Sequence, residues 1–325
     1  MNEQQTMLNE MTQALFSELS HKATVAGEWN RVEELGLPGL LIADTDGGFG
    51  GSWQDALIVF RAAGYHALGL PLIEAVLAAH VGSQHGFDGR GTIAKAASGA
   101  IAEGRFNGTL EGVVAGEGAS FVVAPFGQGL SVIVELVASS SIDHAMTVSG
   151  EGRDRVEISQ GRAVALDIDI FSLGAFARSA QIAGALDAAL AISADYVNQR
   201  KQFGRNLAAF QAVQHNLATF ACEAAAANCA ASGAAQALDQ GGAAFEAGAA
   251  KLRCNIAVGI GTAIAHQVHG AIGFTEEYSL HPLTRRLLAW RSEFGNDSHW
   301  ASLLGGKLCA RGAENFWPDL TSLTD

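Results

Sequence analysis

"NQRKQFGRNLAAFQAVQH", residues 198–215, joins two apparent helices in a chain of 325 residues whose formal net charge is −13. It gathers Arg200, Lys201 and Arg205 around the pair Phe203-Gly204 and follows them with Gln211 and Gln214. Cations, amides and aromatics at one helix junction of an acidic protein call for a reason. Taken residue by residue, the plain reading is structural. Basic side chains at a helix C-terminus complement the helix dipole and its free carbonyls. On that reading Arg200 and Arg205 are caps, and Phe203 and Phe210 are core.

On either side the pattern is helical. Before the junction, Ile182, Leu186, Leu190, Ser193 and Val197 recur every three or four residues. After it, Phe210, Val213, Leu217, Phe220 and Ala224 repeat at spacings of three and four, one continuous apolar stripe. "DQGG" breaks the second helix at Gly241 and Gly242. A third carries Leu252, Ile256, Ile260, Ile264 and Val268 and ends at Gly270. A fourth covers roughly 280–291, and a fifth follows Asn296. Long alanine-rich helices with short breaks predict an antiparallel bundle.

Upstream the texture changes twice. Between about Ile101 and Ile170, "GRFNGTLEGVV", "ASFVVAPF", "LSVIVELVA", "HAMTVSG" and "VEISQG" are short β-branched runs broken by Gly and Asn, which predicts a small antiparallel sheet or partial barrel. From Leu8 to about Ala100 the pattern is helical, with turns at Gly36-Leu37-Pro38, Gly69 and Pro71 and an N-cap candidate at Ser52. Glycines 47, 48, 50 and 51 lack a preceding strand and the third GxGxxG spacing, so they read as a plain loop. The predicted class is α+β: an N-terminal helical domain (1–100), a reduced antiparallel β domain (101–170) and a C-terminal antiparallel helical bundle (171–325).

Composition narrows the function. Hydrophobic residues make up 49% and charged residues 16%, which excludes disorder. Net negative charge argues against nucleic acid as a partner. No apolar run has membrane-spanning length, and no signal peptide is visible at the N-terminus, so a cytoplasmic setting is expected. Cys222, Cys229, Cys254 and Cys309 form no CxxC pair and read as small apolar core residues. His266 and His269, three apart on a helix, lack a third ligand, so no metal site is expected.

Two motifs carry a resemblance. "QRKQFGRNLAAFQAVQHNLA" is similar to the Arg-x-Gln-Phe-Gly…Phe-Gln-x-x-Gln pattern of the acyl-CoA dehydrogenase family of flavoproteins. "HQVHGAIGFTEEYSLHPLTRR" resembles that family's glycine loop and the basic helix beyond it, with Ala271 in place of the second glycine. The resemblance is strong over about 180–300, fair over 28–80 and poor through the sheet region. It implies that Arg200, Gln202, Phe203 and Gln211, with Gln267 and Gly270, contact the adenosine-diphosphate half of an FAD bound mainly by a neighbouring subunit. The chemistry agrees: Arg200 can present a forked guanidinium to phosphate, and Gly204 lets the backbone turn tightly.

The resemblance also implies a catalytic carboxylate that takes the α-proton of an acyl-CoA thioester. In most members it is a Glu immediately before a glycine, beyond the basic helix. "RRLLAWRSEFGNDSHW" places Phe294 there, with Glu293 one place early and usable only if the loop shifts by one residue. Some relatives keep the base near the position of Ile256, where no acid lies between Lys251 and His269. No catalytic residue is therefore assigned. The expected function is a subunit of a heteromeric, FAD-dependent acyl-CoA dehydrogenase whose partner subunit supplies the base, with an electron-transfer flavoprotein as a candidate acceptor. A self-sufficient acyl-CoA dehydrogenase and a flavin-free helical assembly protein remain as alternatives.

Overall fold

The structure is a computed structural model and describes residues 1–19, 27–127, 129–242 and 244–322. Helices come first. Asn2 caps α1 (Glu3–Glu18) and Ser52 caps α3 (Trp53–Tyr65), each with a reciprocal capping box. The short α2 (Glu28–Glu34) and the apolar α4 (Leu72–Ser83) complete this layer.

The helical pattern read as far as Ala100 gives way earlier, at Gly91. Strands β1 (Gly91–Ile93) and β2 (Ala96–Ala102) already belong to the sheet, with β3 (Arg105–Val113), β4 (Phe121–Pro125), β5 (Ser131–Glu135), β6 (Ser141–Asp143) and β7 (Asp154–Leu166). "GTIAKAASGAIA" is too poor in branched residues to announce a strand. Pairing makes strands of it: "AASGAIA" runs in full antiparallel register with β3, and "GTI" lies parallel to β4. The order is β1-β4-β5-β7-β3-β2, with β6 beside β7, and among the described residues only the β1–β4 pair is parallel. Phe106, Leu110, Val122, Val134 and Val156 fill the sheet's own core.

The remainder is the expected bundle. It comprises α5 (Ile170–Gln199), α6 (Gln211–Asp239), α7 (Ala244–His269), α8 (Leu280–Trp290), α9 (Asp297–Arg311) and α10 (Phe316–Ser322). Helices α3 and α5 meet backbone to backbone at Gly64 and Gly184. A Cβ on either would come within 2.0 Å of a carbonyl oxygen of the other helix, so only glycine permits this crossing.

Two expectations about the bundle fail. The row Leu252, Ile256, Ile260, Ile264 and Val268 is not one buried face: Val268 is buried, Leu252 and Ile264 pack against the core only in part, and Ile256 is 39% exposed. Helix α7 instead buries Ala250, Lys251, Cys254, Asn255, Ala257 and Gly261. A strict fourth-residue repeat drifts around a helix of 3.6 residues per turn, and small residues let neighbouring helices approach more closely. Of the four cysteines only Cys254 is buried; Cys222, Cys229 and Cys309 are exposed free thiols.

Candidate functional site

The junction that opened the sequence reading is a tight hairpin. Arg200 ends α5, its N–H donating to the Tyr196 carbonyl at 2.8 Å. Strands β8 (Lys201–Gln202) and β9 (Arg205–Asn206) pair across a turn. Both central residues, Phe203 (φ +53°) and Gly204 (φ +79°), are left-handed, which suits the twist of a two-residue hairpin. Gly204 adopts that conformation freely; an aromatic residue does so only at a cost. Phe203 is also 90% exposed, so it is not core. Arg205 lies over the Phe210 ring, 4.0 Å from its centroid.

The second motif arrives at the same end of the bundle. Tyr196, one turn before Arg200, stacks on His269 with ring centroids 4.5 Å apart and donates its hydroxyl to the His269 carbonyl. This joins the end of α5 to the end of α7. Gln267 lies in the last turn of α7, Gly270 follows it with φ +65°, and Gln211 opens α6 beside the hairpin. Arg200, Gln202, Phe203, Gln211, Gln267 and Gly270 are all exposed. Among the described residues, no side chain accepts from Arg200, and the amides of Gln202, Gln211 and Gln267 have no partner. A capping Arg would spend its guanidinium on carbonyls; this one does not. A cation and several amides left free beside aromatic rings form a fitting surface for a diphosphate and its attached ring.

His266 and His269 are absorbed into the same corner as stacking partners. His266 stacks on Phe274 at 4.1 Å, and burial pushes both histidines below their ordinary range. Among the described residues no group of three or more His, Cys, Asp or Glu could hold a metal ion.

The middle of the molecule is built differently. Arg178, 2% exposed on α5, donates from Nε to Glu293 at 2.7 Å, from Nη1 to Gln181 and from Nη2 to Glu74 on α4 at 2.5 Å. Arg153, just before β7, reaches the other oxygen of Glu293 at 2.7 Å. Glu151 lies 3.6 Å from Arg153 and 3.4 Å from Arg286, and accepts from the Trp290 indole at 3.1 Å. Acids and guanidiniums thus alternate from α4 across α5 to α8. Burial pushes the Glu293 carboxyl up, but Arg178 and Arg153 outweigh this and hold it below the usual carboxylate range. Burial works against the Arg178 charge too, and Glu74 and Glu293 hold it protonated.

The loop carrying Glu293 is fixed from beneath. Fully buried Lys251 donates to the Trp290, Arg291 and Gly295 carbonyls at 3.0, 3.1 and 3.2 Å and to Asn255 at 2.6 Å. Phe294 is 6% exposed with φ +48°, and its ring fills the space beside Gly174, where a Cβ would meet it at 2.5 Å. A one-residue shift bringing Glu293 forward would break both ion pairs and leave Arg178 buried without one of its acids. Two cavities flank this cluster. One of about 500 Å3 lies between β3 and α8, with Glu293 and Phe294 in its lining. The other, of about 750 Å3, lies beyond Arg153 against α4 and α5.

The motif reading did not reach Arg178, Glu74, Arg153 or Lys251. Two of them carried a signal nonetheless. Arg178 is the lone charge between Asp169 and Asp187, and Glu74 the lone acid of an apolar helix. Such charges are buried only when paired.

Residues 159–302 match the family model described as acyl-CoA dehydrogenase, C-terminal domain. The acyl-CoA dehydrogenase IpdE2 of Mycobacterium tuberculosis is 27% identical over 265 residues, covering 78% of this chain and 77% of that protein. A chain of the Tcur3481-Tcur3483 steroid ACAD, G363A variant, superposes with a TM-score of 0.84 at 23% identity, over 96% of this chain and 99% of that one. A chain of the ChsE4-ChsE5 complex from Mycobacterium tuberculosis gives a TM-score of 0.82 at 18% identity, over 96% and 99%. The two solved structures show that the fold is shared along nearly the whole length.

Proposed function

The chain is a member of the acyl-CoA dehydrogenase family, oxidoreductases acting on CH–CH bonds, and from that premise we propose that it is one subunit of a heteromeric, FAD-dependent acyl-CoA dehydrogenase. In this reading Arg200, Gln202, Phe203, Gln211, Gln267 and Gly270 hold the diphosphate and adenosine end of a flavin. A second acyl-CoA dehydrogenase-type subunit binds its ring and supplies the base. When bound, the flavin accepts the hydride that leaves the β-carbon of the acyl-CoA. The helices before Gly91, the sheet that follows them and the bundle from Ile170 act as three domains, in place of boundaries at 100 and 170, and the last carries the flavin contacts. The complex works in the cytoplasm and passes its electrons to a separate electron-transfer flavoprotein.

One observation carries the proposal: the acid nearest the expected base position is spent inside the chain, while Arg200 and the side-chain amides of Gln202, Gln211 and Gln267 have no partner among the described residues. Glu293 accepts from two guanidiniums, which hold it ionised and occupy both of its oxygens. A proton acceptor must reach the α-carbon, and a carboxylate tied to Arg178 and Arg153 cannot. Arg200 and its neighbours present donors outward, where a group bound by another chain can meet them. The names of two similar structures, the Tcur3481-Tcur3483 steroid ACAD and the ChsE4-ChsE5 complex, pair two gene products each, which supports an assembly of unlike chains.

The test is flavin content. Purified alone, the chain is expected to be colourless and inactive toward acyl-CoA. Co-produced with a neighbouring acyl-CoA dehydrogenase-type subunit, it yields a yellow complex that reduces an electron acceptor. A yellow, active chain by itself would overturn the heteromeric reading in favour of a self-sufficient enzyme. A colourless complex with every such partner would leave a flavin-free assembly protein.

A further inference from the structure

His269 closes α7 and is 4% exposed, a histidine in the interior with no metal to hold. Tyr196 of α5 stacks on it at 4.5 Å with 28° between the planes, and Tyr278, just before α8, lies 5.2 Å away. Gly273 packs so close that a Cβ there would come within 3.0 Å of the His269 Cβ.

The surroundings fix which nitrogen carries the hydrogen. Nδ1 lies 2.7 Å from the Ala265 carbonyl oxygen, which can only accept, so Nδ1 is the donor. In the neutral ring Nε2 is then an acceptor, and it is buried without a hydrogen-bond partner among the described residues. A second proton would place a charge and an N–H donor at that sealed position. A buried charge without an acceptor is costly, so the charged ring must leave the stack to reach water. The titratable groups around it are the phenols of Tyr196 and Tyr278, His266 one turn earlier, and Asp195 and His281 beyond them. No carboxylate among the described residues counters a charge on His269.

Both halves of the flavin corner hang on this stack. The Tyr196 carbonyl accepts the Arg200 N–H at 2.8 Å, and the Tyr196 hydroxyl donates to the His269 carbonyl at 3.3 Å. The Arg200 carbonyl in turn accepts from Leu207 at 2.9 Å, which closes the hairpin onto α5. On the other side, Gln267 precedes His269 in the last turn of α7, and Gly270 bends the chain directly after it. On the flavin contacts proposed above, we infer that His269 is a positioning residue. As a neutral ring held by Tyr196 it sets the spacing between Arg200 and the bend at Gly270, and its protonation undoes that spacing and releases the diphosphate. His269 acts through Arg200, Gln267 and Gly270 and makes no flavin contact of its own. Burial keeps the stacked ring below its ordinary value of 6.5, against the pull of the Ala265 bond. The stack is therefore fully present above 6.5 and lost as pH falls through the lower stacked value.

The test is FAD affinity of the two-subunit complex against pH, followed by flavin absorbance. From about pH 7.5 to about pH 5.5 the unaltered complex should lose affinity by roughly tenfold. His269→Phe keeps a ring in the stack and takes no proton, so it should match the unaltered complex at the higher pH and lose less than about threefold at the lower. His269→Ala, without the ring, should bind about tenfold more weakly at both. A flat profile in the unaltered complex overturns the proposal, as does a full acid loss in His269→Phe. The isolated chain gives a reading without flavin or partner. By NMR, the His269 Hε1 resonance should titrate below 6.5, and the Gly270 amide resonance should move with it. A Gly270 amide that ignores that titration overturns the proposal whatever the flavin result, and this measurement needs no variant to fold. If Arg200→Ala leaves FAD affinity unchanged, the flavin reading fails by itself, and the NMR titration alone then decides whether His269 sets this corner.

Discussion

Arg178 and Arg200 are carried by one helix, and their surroundings could hardly differ more. Arg178 is 2% exposed and its guanidinium reaches Glu74, Glu293 and Gln181. Arg200 ends the same helix in solvent, and its guanidinium meets no partner among the described residues. Burying a guanidinium obliges the fold to bring acids to it from other segments, here α4 and the loop after α8. Leaving one in water carries no such obligation, so it stays available to a ligand or another chain. The first kind of arginine builds the subunit. The second is where a subunit offers something to its surroundings.

If that contrast holds, the largest effect comes from Arg178. Replacing it, as in Arg178→Met, leaves Glu74 buried and uncompensated and Glu293 with Arg153 alone, with an expected loss of about 3–5 kcal/mol in urea unfolding. A loss below about 1 kcal/mol would mean that the central cluster does not hold the fold. Glu293→Gln comes next, at about 2–3 kcal/mol near neutral pH. Its pH dependence sharpens the point. The folded Glu293 carboxyl titrates below its ordinary value of 4.5. Its contribution is therefore present above that value and lost as pH falls through the lower folded one. Acid unfolding curves should fall less steeply below about pH 4.5 in Glu293→Gln than in the unaltered chain; superimposable slopes would deny Glu293 its ion pairs.

At the bundle end the order reverses, with binding affected and stability spared. Arg200→Ala should lower flavin retention of the two-subunit complex by about tenfold, or about 1.4 kcal/mol. Unfolding of the isolated chain should shift by no more than about 0.5 kcal/mol. Unchanged flavin content would contradict the assignment of Arg200. The smallest effect belongs to Phe203→Gly. Relief of the left-handed φ at an exposed position should raise stability by less than about 1 kcal/mol, while dilution of the complex shows easier separation. A destabilised chain would show Phe203 to be structural after all.

How far the sequence led can be judged from particular residues. The six proposed flavin contacts come from two motifs far apart in sequence, and the structure brings both to one end of the bundle through Tyr196 and His269. Phe203 and Phe210, taken singly, read as core, and Phe203 stands in water instead. Its positive φ follows from the two-residue hairpin, which single-residue propensities do not register. The strand Ala96–Ala102 and the buried face of α7 were misread for one reason: alanine and glycine fit either environment, and the partner segment decides.

Local order was written in the chain: the helix cap at Ser52, glycine turns, and the apolar periodicity of the bundle all depend on neighbours a few residues away. So were the two motifs and the loss of a free acid at the expected base position. The tertiary structure alone decided that Glu293 is bound by Arg178 and Arg153, that Lys251 fixes its loop, and that His269 is buried against Tyr196 and Tyr278. Each of those facts joins segments far apart in sequence. A charge is tolerated in the interior only when distant residues converge to satisfy it, and that convergence is a property of the packed molecule.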